Sequence, residues 1–322
     1  MCSSAGPGFW ALPERDMKRI SFIVNPFSGR RAGIQILDRV RQTFAASGVE
    51  IEVFVTKASG HARELARSMP MEGRAGLGVI GGDGTVHEVI DGLMRRTDQA
   101  RPPLGLIPGG SANTIHQHLR LVDPADAARA IANGVTGALD IARVTTESGV
   151  VYAFDLIGWG LAADVNRTAE KLRWLGPSRY TVVSVLALLR ARRRRARVIL
   201  DGQAQEGEFL LVIACNTAFA GDRLKMCPQA EIDDGRIDVV IVRPASRWQL
   251  IAFFRKAFRG AHLSLPFVSY RQARFLAIEQ TQKESLDIDG EIEGTAPAQI
   301  QVLPSALRVF VKAEMRNSNG CG

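Results

Sequence analysis

Apolar and polar positions along the first third of the chain switch between two rhythms. RISFIVN (19–25), VEIEVFVT (49–56), AGLGVI (75–80) and PLGLIP (103–108) are short apolar-rich runs that read as strands. Between them, 31–48, 59–69 and 85–96 carry apolar residues at helical spacing, and 111–119 and 124–134 follow as further helices. This alternation predicts an α/β domain with a doubly wound parallel sheet. From about Gly137 the rhythm becomes mostly period two. Runs such as GALDIARV, VVYAFDLIG, RARVILDG, EGEFLLVIACN, GRIDVVIVR and ALRVFVK predict a β-rich, antiparallel sandwich-like domain. Helical stretches interrupt it at 162–174, 178–191 and 246–259. The expected organisation is a flexible leader at 1–17, an α/β domain at 18–136, a β-rich domain at 137–312 and a flexible tail at 313–322.

Composition adds a bias. The 322 residues are 46% hydrophobic and 23% charged, ordinary for a globular protein, but the net charge is +8. A basic balance favours anionic partners such as nucleotides, nucleic acid or anionic lipid. The cysteines Cys2, Cys215, Cys227 and Cys321 form no CxxC pair, so neither a zinc site nor a disulfide framework is expected and a cytoplasmic setting is. The first residues contain no apolar signal core, and VVSVLALL at 182–189 is too short to span a bilayer. The expectation is a soluble protein or one bound peripherally to a membrane face.

The chemistry gathers in three turns, each after an apolar strand: NPFSGRRAG (25–33), GGDGT (81–85) and PGGSAN (108–113). In a parallel sheet the carboxyl ends of the strands share one edge, where ligands bind. Glycines there let backbone approach a ligand closely, and unpaired N–H groups with helix N-termini favour phosphate. Neither GxxxxGK[ST] nor a well-placed GxGxxG occurs, so this is not a Walker-type loop. Tight turns without chemistry are the alternative, but Asn25 and Asp83 would then have no purpose.

GGDGTVHEV, NPFSG and PGGSAN, followed in order by LIGWGLAADV, CPQAEIDDGRID and DIDGE, closely resemble the motifs of the diacylglycerol, sphingosine and ceramide lipid kinases, whose catalytic domain is related to NAD kinase. The likeness runs over about residues 19–311. It implies transfer of the γ-phosphate of ATP, with Mg²⁺, to a primary lipid hydroxyl, in a cleft between a nucleotide-binding first domain and a lipid-binding second one. WGLAADVNRTAEKLRWLGPSRY (159–180) resembles the sphingolipid branch, ceramide kinase most of all. Where the sphingosine branch carries an acid, this chain has Asn166. EIDDGRID instead resembles bacterial diacylglycerol kinases. Ceramide is therefore the expected acceptor, ahead of diacylglycerol and then a sphingoid base.

Phosphoryl transfer needs held phosphates, a divalent metal and an oriented hydroxyl. Asn25, Ser28, Gly29, Thr56, Gly82, Gly84, Thr85 and Ser111 are the expected nucleotide contacts of the first domain. Asp83 and Asp289 are the expected catalytic pair, as metal holder and proton acceptor in an order the residues leave open. By resemblance, Arg173 and Arg179 reach the β- and γ-phosphates, Glu291 lies near the nucleotide, Asp164 and Asn166 meet the lipid head group, and Asp234, a metal ligand like Asp83, supports a structural magnesium. His87, His116 and His118 are assigned no metal.

Residues 178–195, SRYTVVSVLALLRARRRR, read as a helix with one apolar face (Val182, Val185, Leu186, Leu189) and a cationic end, an interfacial layout for anionic lipid. A core helix is the alternative. The helix WQLIAFFRKAFRG (248–260) is expected to pack on the second-domain sheet. The reading admits a homodimer and excludes nucleic acid, because the basic run lacks interleaved aromatics. Its rivals are a non-catalytic lipid- or nucleotide-binding regulator on the same fold and a kinase for a soluble acceptor.

Overall fold

The computed structural model describes residues 9–11, 19–171, 190–221 and 224–314. The chain divides into two compact units, the first made of residues up to Asp140 together with those from Pro304 onward, the second of Ile141–Leu303.

In the first unit, β1 (Phe9–Ala11) is followed by β2 (Arg19–Val24), a short α1 (Ser28–Arg31), α2 (Gly33–Ala46), β3 (Glu50–Val55) and α3 (His61–Ser68). Then come β4 (Gly76–Gly81), α4 (Asp83–Met94), β5 (Leu104–Pro108), α5 (Thr114–His118), α6 (Pro124–Ala132) and the start of β6 (Val135–Thr146). β3, β2, β4 and β5 lie side by side in parallel, as the alternation predicts. β4 is buried at all six positions, which is why it reads as an unbroken apolar run. Helix α2 turns Leu37, Val40 and Phe44 inward, at spacings of three and four, and Phe22 of β2 meets Phe44 with ring centroids 5.2 Å apart. Asp123 caps α6 by accepting the N–H groups of Ala125 and Asp126, with Pro124 in the first turn.

The second unit continues β6 and adds β7 (Gly149–Ala153), β8 (Leu156–Gly160), α7 (Leu161–Lys171), β9 (Arg194–Leu200), β10 (Gln203–Phe209), β11 (Leu211–Cys215) and β12 (Ile237–Val242). After α8 (Arg247–Ala257) come β13 (Val268–Ala273), β14 (Phe275–Glu279), β15 (Glu284–Ile288), β16 (Glu291–Ala296) and β17 (Ala298–Phe310), the last of which runs on into the first unit. Two antiparallel sets form the sandwich: β13-β12-β11-β8-β15-β16 and, opposite, β10-β9-β14-β17. Their facing sides bury Trp159, Phe209, Val212, Ile241, Leu276, Ile288 and Ile300 in one core. On the outer side of the first set, Leu250, Phe253 and Ala257 of α8 pack with Leu211, Ile213, Val240 and Val242, which accounts for the continuous apolar runs of β11 and β12.

Two local expectations change. The helix after PGGSAN begins at Thr114 rather than Ser111, because Asn113 takes a left-handed conformation with φ +53° and folds its side chain back onto Gly110. Among the described residues the arginine run is not helical. Arg194–Leu200 is a strand, and its arginines face acids on neighbouring strands: Arg195 and Arg197 stand opposite Glu208 and Glu206, and Arg197 also pairs with Glu279. Residues 172–189, including the apolar face expected at 182–189, lie outside the described residues. The sequence places all of 306–312 in the second domain, whereas Val309 pairs with Leu104 of β5 in parallel within the first unit.

Candidate active site

In the first unit the three glycine turns meet. A Cβ placed on Gly29, which has φ +58°, would lie 2.6 Å from the carbonyl oxygen of Gly109. One on Gly82 would lie 2.9 Å from Cα of Gly110, and one on Gly110 2.5 Å from Cα of Gly82. The turns after β2, β4 and β5 therefore touch backbone to backbone, and only glycine lets them. Gly33 is equally constrained, since a Cβ there would sit 2.1 Å from the carbonyl oxygen of Asn25.

Side chains tie the turns together. Asn25 donates from Nδ2 to Oγ1 of Thr85 at 2.9 Å and accepts the N–H of Phe27 at Oδ1, also at 2.9 Å. Ser28 Oγ donates to the Asn25 carbonyl at 2.9 Å. Several turn amides are used within the turns rather than left open: Ser28 N–H on the Asn25 carbonyl, Thr85 N–H on that of Gly82, and Gly110 N–H on Asn113 Oδ1. This narrows the phosphate cradle expected from the sequence to the remaining amides and the N-terminus of α4. Asp83 occupies the first position of that helix, after an extended Gly82, and its Oδ1 accepts both the N–H (2.9 Å) and the Oγ1 hydroxyl (3.2 Å) of Thr114. Thr56 is buried at the end of β3, its N–H on the carbonyl of Val24, whereas Ser111 is exposed on its turn.

The sequence reading passed over Asn113 and Thr114, which shape the third turn and aim Asp83. Their signal is the polar pair closing PGGSANT. His116 is wholly buried and pushed down to about 3 by that burial, so it is a neutral core imidazole.

In the second unit, Asp289 and Gly290 form the two-residue turn between β15 and β16, with φ of +51° and +87°. An Asp-Gly pair with both residues left-handed is what a tight hairpin selects. The carboxylate then does more than turn the chain. Oδ1 of Asp289 accepts the N–H groups of Asp155 (2.9 Å) and Leu156 (3.0 Å), and Oδ2 that of Phe154 (3.1 Å). Glu291 is exposed beside this turn.

Asp164 and Asn166, both on α7, have different neighbours. Asp164 is ion-paired at 2.6 Å with Arg194, which also holds Glu284 at 2.6 Å. Asn166 is buried and donates to Oδ1 of Asp287 (3.1 Å) and to the Gly290 carbonyl (2.7 Å), while its own Oδ1 is buried with no partner. Asp287 was missed in the sequence, where DIDGE drew the eye to its second acid. Burial pushes its carboxyl up to about 7, against the hydrogen bonds from Asn166 and Gly290.

Asp234 accepts the N–H of Arg236 at 2.9 Å in the loop before β12. Among the described residues no three His, Cys, Asp or Glu side chains gather as a metal cage. Asp83 fits the other mode of magnesium binding, in which one carboxylate is joined by phosphate oxygens and water. Arg173 and Arg179 lie outside the described residues. No helix of the described residues is long and apolar enough to cross a membrane.

The comparisons with known proteins follow the two units. The diacylglycerol kinase catalytic domain matches residues 19–144, and the YegS C-terminal NAD kinase beta sandwich-like domain matches 155–311. A diacylglycerol kinase of Staphylococcus saprophyticus is 30% identical over 93% of this chain and 97% of its own. Sphingosine kinase 1 of Arabidopsis thaliana is 24% identical over 94% of this chain and 74% of its own. The crystal structure of a diacylglycerol kinase from Bacillus anthracis shares the fold, with a TM-score of 0.76 and 24% identity over 93% of this chain and 98% of that one. With its glycine-turn edge, its Asp83 and its sandwich partner unit, the chain belongs to the diacylglycerol and sphingosine kinase family and is a lipid kinase.

Proposed function

We propose that the protein transfers the γ-phosphate of ATP to the primary hydroxyl of a neutral lipid, diacylglycerol, at a membrane surface to which it binds peripherally. One observation carries the choice of a neutral head group. The acid on α7 that would greet an amine, Asp164, is already ion-paired with Arg194, and position 166 holds an amide rather than a carboxylate. A sphingoid base, with its ammonium group, would have to compete with Arg194 for Asp164. The relatives that match over nearly their whole length and are named diacylglycerol kinase favour the glycerolipid. Ceramide is the second reading. The 159–180 segment resembles ceramide kinase, and the unpartnered Oδ1 of Asn166 is a buried acceptor suited to an amide N–H.

In this reading Asn25, Ser28, Gly29, Thr56, Gly82, Gly84, Thr85 and Ser111 hold the nucleotide in the first unit. Mg²⁺, carried on the phosphate oxygens, would neutralise their charge and expose the γ-phosphorus to attack. The lipid hydroxyl oxygen bonds to the γ-phosphorus as the bond to the β,γ-bridging oxygen breaks, and ADP departs. Asp83, aimed by Thr114, takes the hydroxyl proton. Both oxygens of Asp289 are engaged by backbone N–H groups, which makes it a positioning residue for the start of β8 and the acceptor segment that follows. Arg173, Arg179 and Glu291 steady the phosphates, and Asp234 orders its loop around a structural cation.

The test is transfer of labelled phosphate from ATP to diacylglycerol, ceramide and sphingosine presented in anionic micelles. Label in diacylglycerol supports the proposal. Label in ceramide moves the assignment to the second reading, and label in sphingosine alone overturns the neutral-head-group argument.

A further inference from the structure

We infer that the outer face of α8 is the surface by which this kinase docks on an anionic bilayer. The inference rests on the lipid-kinase reading for its purpose and on α8 alone for its geometry. The helix spends its inner face on the sandwich, through Leu250, Phe253 and Ala257. At 100° per residue, positions 248, 255 and 259 fall on the opposite side. They are Trp248, Arg255 and Arg259, with Lys256 beside them. Trp248 is 81% exposed and Phe258, on the flank of the same face, 38%. An indole left in water on a helix crest, ringed by cations, matches the layout of an interfacial helix, in which aromatics sit at head-group depth and Lys and Arg meet lipid phosphates.

Charge complementarity selects the occupant. No Asp or Glu occurs between Asp238 and Glu279, and this stretch contains Arg243, Arg247, Arg255, Lys256, Arg259, Arg271 and Arg274. Among the described residues, Arg247, Arg255, Lys256 and Arg259 have no carboxylate partner. The arginines at 193, 194 and 197 differ, because each is paired within the fold. Beside the N-terminal end of the helix, toward its inner face, lies a hollow of about 340 Å³ lined by Arg190, Arg193, Ser246, Arg247 and Leu250. Three arginines of the cationic anchor expected at 190–197 are thus engaged with acids of the fold, whereas, among the described residues, the four cations of α8 and its C-terminal turn are unengaged.

The experiment is partitioning of the full chain onto vesicles of phosphatidylcholine with and without phosphatidylglycerol, for the wild type, Trp248→Ser and the double variant Arg255→Gln, Arg259→Gln. Phosphorylation of a short-chain, water-soluble diacylglycerol is followed in parallel. Wild type should bind only the anionic vesicles. The double variant should partition about thirtyfold more weakly, since each cation near the surface contributes about 1 kcal/mol. Trp248→Ser should also weaken binding, and Trp248→Phe should lose the quenching of tryptophan fluorescence by brominated lipid. Turnover of the soluble acceptor should be the same in all. Unchanged partitioning of both the serine and the double variant would overturn the inference. So would a wild type that ignores vesicles but dimerises through Trp248, which would make a second copy the occupant. Failure of every form on the soluble acceptor, with vesicle binding intact, would count against the catalytic reading and leave the docking surface standing.

Discussion

Asp287 shows how much one buried carboxyl can say. It sits on β15, 8% exposed, with Asn166 and the Gly290 amide as donors. In the folded protein it holds its proton up to about pH 7, whereas an unfolded chain releases it near the ordinary value of 3.8. Between those values the native state binds more protons than the unfolded one, so stability falls as pH rises. The stabilisation is fully present below about pH 4 and is lost through about pH 7, a change on the order of 4 kcal/mol at most. Asp287→Asn keeps an acceptor for both donors and removes the titration. The variant should match the wild type near pH 4 and melt higher at about pH 8. Parallel melting curves for the two proteins across that range would show that Asp287 does not carry the proton. Asp83 is a different case, half-buried on a helix N-terminus with Oδ1 held by Thr114. Asp83→Asn preserves that acceptor, so the fold should persist while kcat drops about 10²-fold or more, the range expected on losing a general base. A variant retaining most of its turnover would remove Asp83 from proton transfer.

At the scale of elements, the glycine turns are contact surfaces as well as flexible joints. In Gly82→Ala the new methyl would press on Gly110 at a distance real side chains do not tolerate. Separating the two turns should cost about 1–3 kcal/mol, a roughly tenfold to hundredfold loss of ATP affinity if they jointly hold the nucleotide. Calorimetric titration with ATP and Mg²⁺ reads this directly, and unaltered affinity would mean the turns do not form the cradle. This edge was legible because each turn follows an apolar strand, and parallel topology then forces the three together. What was not legible depended on partners far away in sequence. The run RARRRRAR reads as the cationic end of a lipid-facing helix until Glu206, Glu208 and Glu279 arrive from two other strands to pair with it. Asp287 reads as a surface strand residue until Asn166, 121 positions earlier, is placed against it. The helix start moved from Ser111 to Thr114 for a local reason that composition hides, namely the side-chain loop between Asn113 and Gly110.

At the scale of the whole molecule, the second unit is one continuous insertion, Ile141–Leu303, in a first unit whose final strand segment comes from the far end of the chain. The first unit is therefore incomplete until the residues after Pro304 have been made. Val309 pairs with Leu104, and Phe310, 1% exposed, lies against Gly76 at the start of β4, where a Cβ would come within 2.8 Å of its ring. Gly76 and Phe310 form a matched pair, the absent side chain making room for the ring. Phe310→Ala should leave a cavity in the first unit and cost about 3–5 kcal/mol, as large truncations of buried aromatics do. The loss belongs to the first unit, so amide exchange should accelerate in β4 and β5 while β11 and β12 of the second unit keep their protection. ATP with Mg²⁺ should recover part of it, about 2.7 kcal/mol at a ligand concentration one hundred times Kd, because the ligand binds the folded unit alone. Equal acceleration in both units would show that they unfold together and that the closing strand serves the whole chain. Acceleration confined to β4 and β5 would show that a segment more than two hundred residues away in sequence, read beforehand as part of the second domain, is what closes the sheet of the first at the amino ends of those strands.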